Sequence, residues 1–171
     1  MTERNGKRLF VGVRVSVACA NALAACAETL ARRAKDARID LAWVAPTNYH
    51  VTLKFLGWTR DEAVGAVRDA LEQATAGVAP FRFRAARLGA FPSLERASVL
   101  WAGVEEPAAI GALADRVERA MTALGFAAEA RAFHPHVTLA RVRDPRPLRD
   151  LVLPMAEQIF NETRVEAVTL F

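Results

Sequence analysis

One tetrapeptide occurs twice in this chain: His50-Val51-Thr52-Leu53 and His136-Val137-Thr138-Leu139, 86 residues apart. The chain has 171 residues and three histidines, and two of them head these copies. Chance repetition on that scale is improbable. Val, Thr and Leu flanked by further apolar residues read as strand, and the helix–strand order around each copy repeats. The repeat therefore predicts a chain built from two similar halves, each presenting one HVTL strand.

Strand geometry then assigns faces. Successive side chains point to opposite sides, so His50, Thr52 and Lys54 share a face while Val51, Leu53 and Phe55 share the other. In the second copy His134, His136 and Thr138 share a face, with Val137 and Leu139 opposite. Strict alternation aims Arg141 away from His136, unless a bulge re-aims it. Each strand thus offers an imidazole and, about 7 Å along, a hydroxyl. If the halves face one another, two His and two Thr meet in one cleft.

Along the chain, residues 8–15 read as a strand and 18–38 as an Ala-rich helix with Leu23, Ala27, Leu30 and Ala34 on one stripe. Residues 41–44 form a short extended piece before Pro46, and 49–56 a strand closed by Gly57. Thr59-Arg60-Asp61-Glu62 fits a capping box opening a helix with Val64, Val67, Leu71 and Ala74 inward. Strands are expected at 81–90, 98–104, 136–142 and 162–171, and a helix at 107–124 ended by Gly125. The stretch holding Pro145, Pro147 and Pro154 reads as a loop or broken helix. Strands close enough for hairpins favour an α+β fold with mainly antiparallel sheets.

Composition excludes several classes. Hydrophobic residues make up 53% and charged residues 25%, too apolar for intrinsic disorder. No 18-residue apolar run exists, so no membrane span is expected, and no signal peptide is legible in the first 15 residues; a cytoplasmic protein is expected. Cys19 and Cys26 stand seven apart on one helix face, about 10 Å between Cα atoms, too far for a disulfide. Both are expected as buried thiols. The net charge is +4 with a pI of 9.7, and the cations are twenty Arg against three Lys. Arg pairs bidentately with phosphate, which fits an anionic partner, although Ala and Arg both rise in GC-rich genomes.

Two histidines of unlike protonation suit metal-free cleavage of a phosphodiester. One neutral imidazole takes a proton from water, and one imidazolium gives a proton to the leaving oxygen. The Thr hydroxyls can hold non-bridging phosphate oxygens.

With these residues in view, the chain resembles the two-histidine (2H) phosphoesterases, which carry two H-x-T/S-hydrophobic motifs. More narrowly it resembles the RNA 2′,3′-cyclic phosphodiesterases, also called 2′-5′ RNA ligases. The similar stretches are RLFVGV near the start, Trp43 to Gly57, LGAFP at 88–92, VLWAGV at 99–104 and Phe133 to Arg141. The resemblance implies one bilobal domain over 1–171, with two antiparallel sheets lining a central cleft and helices outside. It implies hydrolysis of RNA 2′,3′-cyclic phosphate ends to 2′-phosphomonoesters, with a weak reverse 2′-5′ ligation. It implies His50 as proton donor, His136 as proton acceptor, and Thr52 and Thr138 as phosphate-binding groups. No cofactor or metal is expected, and a monomer is.

His134, Lys54, Arg141 and Tyr49 are further candidate substrate contacts. Phe91 and Trp101 join Tyr49 as candidate base-stacking rings, with core packing the competing reading. Three alternatives stay open: a metal site of His50, His134 and His136, an RNA-binding module without catalysis, and a 2H enzyme for a small cyclic phosphate such as ADP-ribose 1″,2″-cyclic phosphate.

Overall fold

The computed structural model describes residues 5–171; the first four, part of the stretch read as lacking a signal peptide, lie outside the described residues. Among the described residues there are eight strands and four α-helices. They are β1 (Gly6–Arg14), α1 (Val17–Asp36), β2 (Ala42–Trp43), β3 (His50–Arg60), α2 (Val64–Thr75), β4 (Phe81–Phe91) and β5 (Ala97–Glu105). There follow α3 (Ala108–Ala123), β6 (His136–Arg146), α4 (Arg149–Val152), β7 (Ile159–Val165) and β8 (Thr169–Leu170).

The strands are antiparallel throughout and run β7-β4-β5-β6-β3-β1-β8, with β2 on the flank of β6. The two expected sheets are thus two half-sheets, β8-β1-β3 and β6-β5-β4-β7, joined by a single residue pair, Val51 with Val137. Both valines are fully buried. The hydrogen-bonded join is therefore made from the middle of the two HVTL copies. The halves also exchange helices. α1 leaves the first half and packs on β7 of the second, while α3 leaves the second half and packs on β3 of the first.

Local chemistry explains the elements. Ser16 caps α1 by accepting the Cys19 N–H at 3.1 Å. Leu23, Cys26, Ala27, Leu30 and Ala34 then carry its apolar stripe inward. Both cysteines are free and buried, and burial pushes their thiols up, Cys26 to about 11. Gly125, at φ +91°, stops the α3 turn where only glycine is unstrained.

Two expectations fail, and a third holds only beyond Arg146, where the broken helix begins. β3 continues through Arg60, so Thr59 is a buried strand residue whose hydroxyl donates to Gly57 O, and no capping box forms. Cross-strand pairing with β1 outweighs the local capping signal. The tail is not one strand: β7 pairs with β4 and β8 with β1, on opposite edges of the sheet. β6 runs on through the first proline of its stretch to Arg146, with α4 and a 3-10 turn following.

Candidate active site

The site is best built outward from Val51 and Val137. Their side chains enter the core, so the residues on either side of each face the other way. Antiparallel register sets His50 toward Thr138 and Thr52 toward His136 across this crossing. All four side chains are half-buried. The expected quartet is therefore assembled around one pair of strands.

Each imidazole is held by the same device. His50 Nδ1 lies 2.6 Å from Asn48 O, and His136 Nδ1 lies 2.7 Å from His134 O. A carbonyl only accepts, so each Nδ1 carries the hydrogen and donates it. Nε2 is left as the reactive nitrogen in both rings. Asn48 ends a 3-10 turn, and its carbonyl orients His50.

Burial is the main influence on both rings and pushes both below the ordinary imidazole value. The carbonyl bonds act the other way. Arg14 and Arg141 press His50 further down, and His134, His50 and Arg141 press on His136. Burial and the cationic setting both favour the neutral form of each imidazole, and a phosphate between them would offset the arginines.

Bulges correct the alternation. β3 skips a residue at Leu53 against β1, and β6 skips one at Leu139 against β5. After each skip the faces exchange. Lys54 turns inward, 5% exposed, where its ammonium meets Glu118 at 2.8 Å and the Ala127 carbonyl. Burial acts to raise the Glu118 carboxyl, but Lys54 and the Glu129 amide hold it down. Lys54 is thus a structural ion pair and not a substrate contact. Its counterpart Ala140 is buried in the same way. The next residue emerges: Phe55 on β3, and Arg141 on β6, re-aimed to the histidine face.

Tyr49 is also corrected. It is buried, its hydroxyl is pushed up to about 12 mainly by burial, and it belongs to the core. His134 is exposed; its ring lies edge-on to Phe91 at 5.3 Å and 5.0 Å from Trp101. Phe91 meets the His136 ring edge-on at 4.9 Å. Trp101 sits over Gly89, where a Cβ would collide with the indole, and its Nε1 is buried without a partner among the described residues. Among the same residues no three His, Cys, Asp or Glu come together as metal ligands, so the three-histidine metal alternative is not assembled.

Sequence reasoning missed Phe10, Arg14 and Phe171. Phe10 stacks on His50 at 4.8 Å, and Phe171 packs against Phe10 at 4.7 Å and His50 at 5.0 Å. Arg14 pairs with His50 across the strands and lies over the Phe171 ring at 4.6 Å. Gly12 leaves the room: a Cβ there would stand 2.9 Å from Val51 O and 3.3 Å from Phe171. Alternation along β1 was the available signal for Phe10 and Arg14; nothing local marks Phe171.

Comparison with known proteins follows the same lines. A family model described as the 2′-5′ RNA ligase superfamily matches residues 21–171. A protein of Aeropyrum pernix named RNA 2′,3′-cyclic phosphodiesterase is 37% identical over 120 residues, 70% of this chain and 67% of that one. A Geobacillus stearothermophilus protein of the same name is 34% identical over 143 residues, 78% of this chain but only 45% of its own length. In fold, the crystal structure of TT0787 of Thermus thermophilus is similar with a TM-score of 0.76 at 24% identity, covering 96% of this chain and 87% of that one.

Proposed function

The chain belongs to the 2′-5′ RNA ligase superfamily, and on that footing we propose that it hydrolyses RNA 2′,3′-cyclic phosphate ends to 2′-phosphomonoesters by two-histidine acid–base catalysis. The observation that carries the reading is the paired orientation: two imidazoles, each fixed through Nδ1 by a backbone carbonyl, each with a Thr two residues along, flanking one strand crossing.

His136 Nε2 takes a proton from the attacking water, whose oxygen bonds to phosphorus. The bond from phosphorus to the 3′ oxygen breaks, and His50 Nε2–H protonates that oxygen, leaving a 2′-phosphate and a 3′ hydroxyl. Thr52 and Thr138 donate hydrogen bonds to the non-bridging oxygens as negative charge grows there, and Arg141 and Arg14 add cationic field. The direction is supported by packing. His50 lies nearly parallel to Phe10, at 30°, where the negative face of a phenyl ring favours an imidazolium; His136 meets Phe91 at 84°. A weak reverse 2′-5′ ligation would use the same groups with their roles exchanged.

The test is incubation, with EDTA present, of an oligoribonucleotide ending in a 2′,3′-cyclic phosphate. Product ends are identified by mass and phosphatase sensitivity. A 2′-phosphate formed by the wild type, and by neither His50→Ala nor His136→Ala, is the expected result. Absence of turnover by the wild type, or a 3′-phosphate product, would overturn it.

A further inference from the structure

The face that carries His50 and Thr52 does not end at the reacting groups. Cross-strand partners share a face, and β1 pairs with β3 as Arg14–His50, Gly12–Thr52, Phe10–Phe55, Arg8–Trp58 and Gly6–Arg60. Beyond the histidine this face therefore presents Phe10, Phe55, Arg8, Trp58 and Arg60. Phe55 is 63% and Trp58 55% exposed, although large aromatic side chains are usually covered. The rings are continuous with the site: His50 stacks on Phe10, and Phe10 lies 6.0 Å from Phe55. Among the described residues neither Arg8 nor Arg60 forms an ion pair with a carboxylate. From His50 to Trp58 the strand advances eight residues, two absorbed by bulges, so the track is about 20 Å long.

The second half has no such surface. Counting 86 residues on, Phe55 corresponds to Arg141, Trp58 to Asp144 and Arg60 to Arg146. The rings at these β3 positions have no counterpart at the equivalent β6 positions.

We infer that the β1–β3 face is a single-strand RNA track, holding the nucleotides that precede the cyclic phosphate end. Aromatic rings stack bases of any identity while arginines between them meet the phosphates, the combination that single-strand binding uses. Continuity with His50 and the positive charge favour RNA over an apolar partner. The inference rests on the proposed function for the location of the reacting end. It extends it by making the enzyme favour oligonucleotides over mononucleotides.

The experiment compares a nucleoside 2′,3′-cyclic phosphate with a short oligoribonucleotide ending in the same group, for the wild type, Trp58→Ala, Trp58→Phe and Arg8→Gln. Trp58→Ala should lower kcat/KM on the oligonucleotide about 5- to 100-fold through KM, the loss of one stacked base. Trp58→Phe should restore most of it. Arg8→Gln should reduce the slope of log affinity against log salt by about 1. Mononucleotide turnover should be unchanged in all three. Equal losses on both substrates, or none on the oligonucleotide, would overturn the track. So would concentration-dependent dimerisation that Trp58→Ala abolishes, because the patch would then be covered by a second copy. Fluorescence anisotropy of a labelled oligonucleotide ending in a 2′-phosphate separates the two readings. If the wild type turns over neither substrate the proposed function fails, whereas anisotropy still decides the track by whether Trp58→Ala weakens binding.

Discussion

The two halves share a backbone and differ in what surrounds it. Both place His and Thr two apart, both lock Nδ1 on the carbonyl two residues back, and both skip a residue at the Leu of the motif. Around that shared frame the neighbours diverge. His50 is stacked on Phe10 and tilted against Phe171 with Arg14 beside it, and His136 stands at right angles to Phe91 with Trp101 and His134 nearby. A symmetric frame makes two equivalent imidazoles. In the proposed mechanism only the divergent neighbours can make one a donor and the other an acceptor, so the asymmetry is where its direction would reside.

The largest effects should come from breaking the frame. His50→Ala and His136→Ala are each expected to lower kcat about 100- to 10,000-fold, the usual contribution of one general acid or base. The double variant should be little worse than either single one, because the pair acts as a unit. The comparison sharpens with a phosphodiester bearing a nitrophenol leaving group, which needs no protonation. His50→Ala should regain much of its rate on that substrate while His136→Ala does not. Rescue of His136→Ala instead would reverse the assigned direction.

Next in size are the hydroxyls. Thr52→Val and Thr138→Val keep strand propensity and shape but remove one hydrogen bond to a charged oxygen, about 1.5–3 kcal/mol. That corresponds to about 10- to 150-fold in kcat, with KM changing less if the bond strengthens in the transition state. A loss confined to KM in both variants would demote the pair to ground-state binding.

Arg141 acts on both histidines at once, so its removal tests how far the two titrations are tied. Its cation pushes both imidazoles down. In Arg141→Gln both therefore rise, and protonated His50 persists to higher pH while His136 needs a higher pH to become a base. Both limbs of the bell-shaped kcat/KM profile should move to more alkaline pH, with about a tenfold loss at the maximum from the missing cationic field at the phosphate. A profile that keeps its limbs would place Arg141 outside the field of the pair.

Much of this was legible in the repeat itself. Two copies of HVTL announced two strands, an internal symmetry and four side chains that meet at one crossing, because strand periodicity is local and each motif lies within one strand. The helices were legible from their apolar stripes. What could not be read were the bulges at Leu53 and Leu139, which exist only as mismatches between two paired strands. They decided the fates of Lys54 and Arg141, sending one into the core and the other to the cleft. Phe171 was illegible for a similar reason: it reaches His50 through β8 pairing with β1, which no spacing announces. The false capping box at Thr59 shows the converse, a local signal overruled by the strand partner.

The smallest effect on activity belongs to the position where the symmetry is chemically broken but buried. Lys54 and Ala140 occupy equivalent places after equivalent bulges, yet one is charged. The ammonium answers the Glu118 carboxylate and the Ala127 carbonyl, and Glu118 in turn accepts the Glu129 amide at 2.9 Å. Lys54 therefore ties β3 to α3 and to the segment that follows it. Lys54→Met keeps the stem but leaves Glu118 and the carbonyl to find other partners. The expected cost is about 1–3 kcal/mol, at the lower end because the Glu118 side chain remains 28% exposed to water. Urea unfolding at pH 7 would read it as a lower midpoint with an unchanged slope. Removing both partners together, as Lys54→Met with Glu118→Leu, should recover part of the loss, since no buried charge is then left unanswered. Turnover should stay within about twofold of the wild type, as expected of a change that keeps its distance from the reacting groups. A Lys54→Met protein of normal stability but crippled kcat would instead put Lys54 in the chemistry, and the two bulges would then have to aim differently from one another.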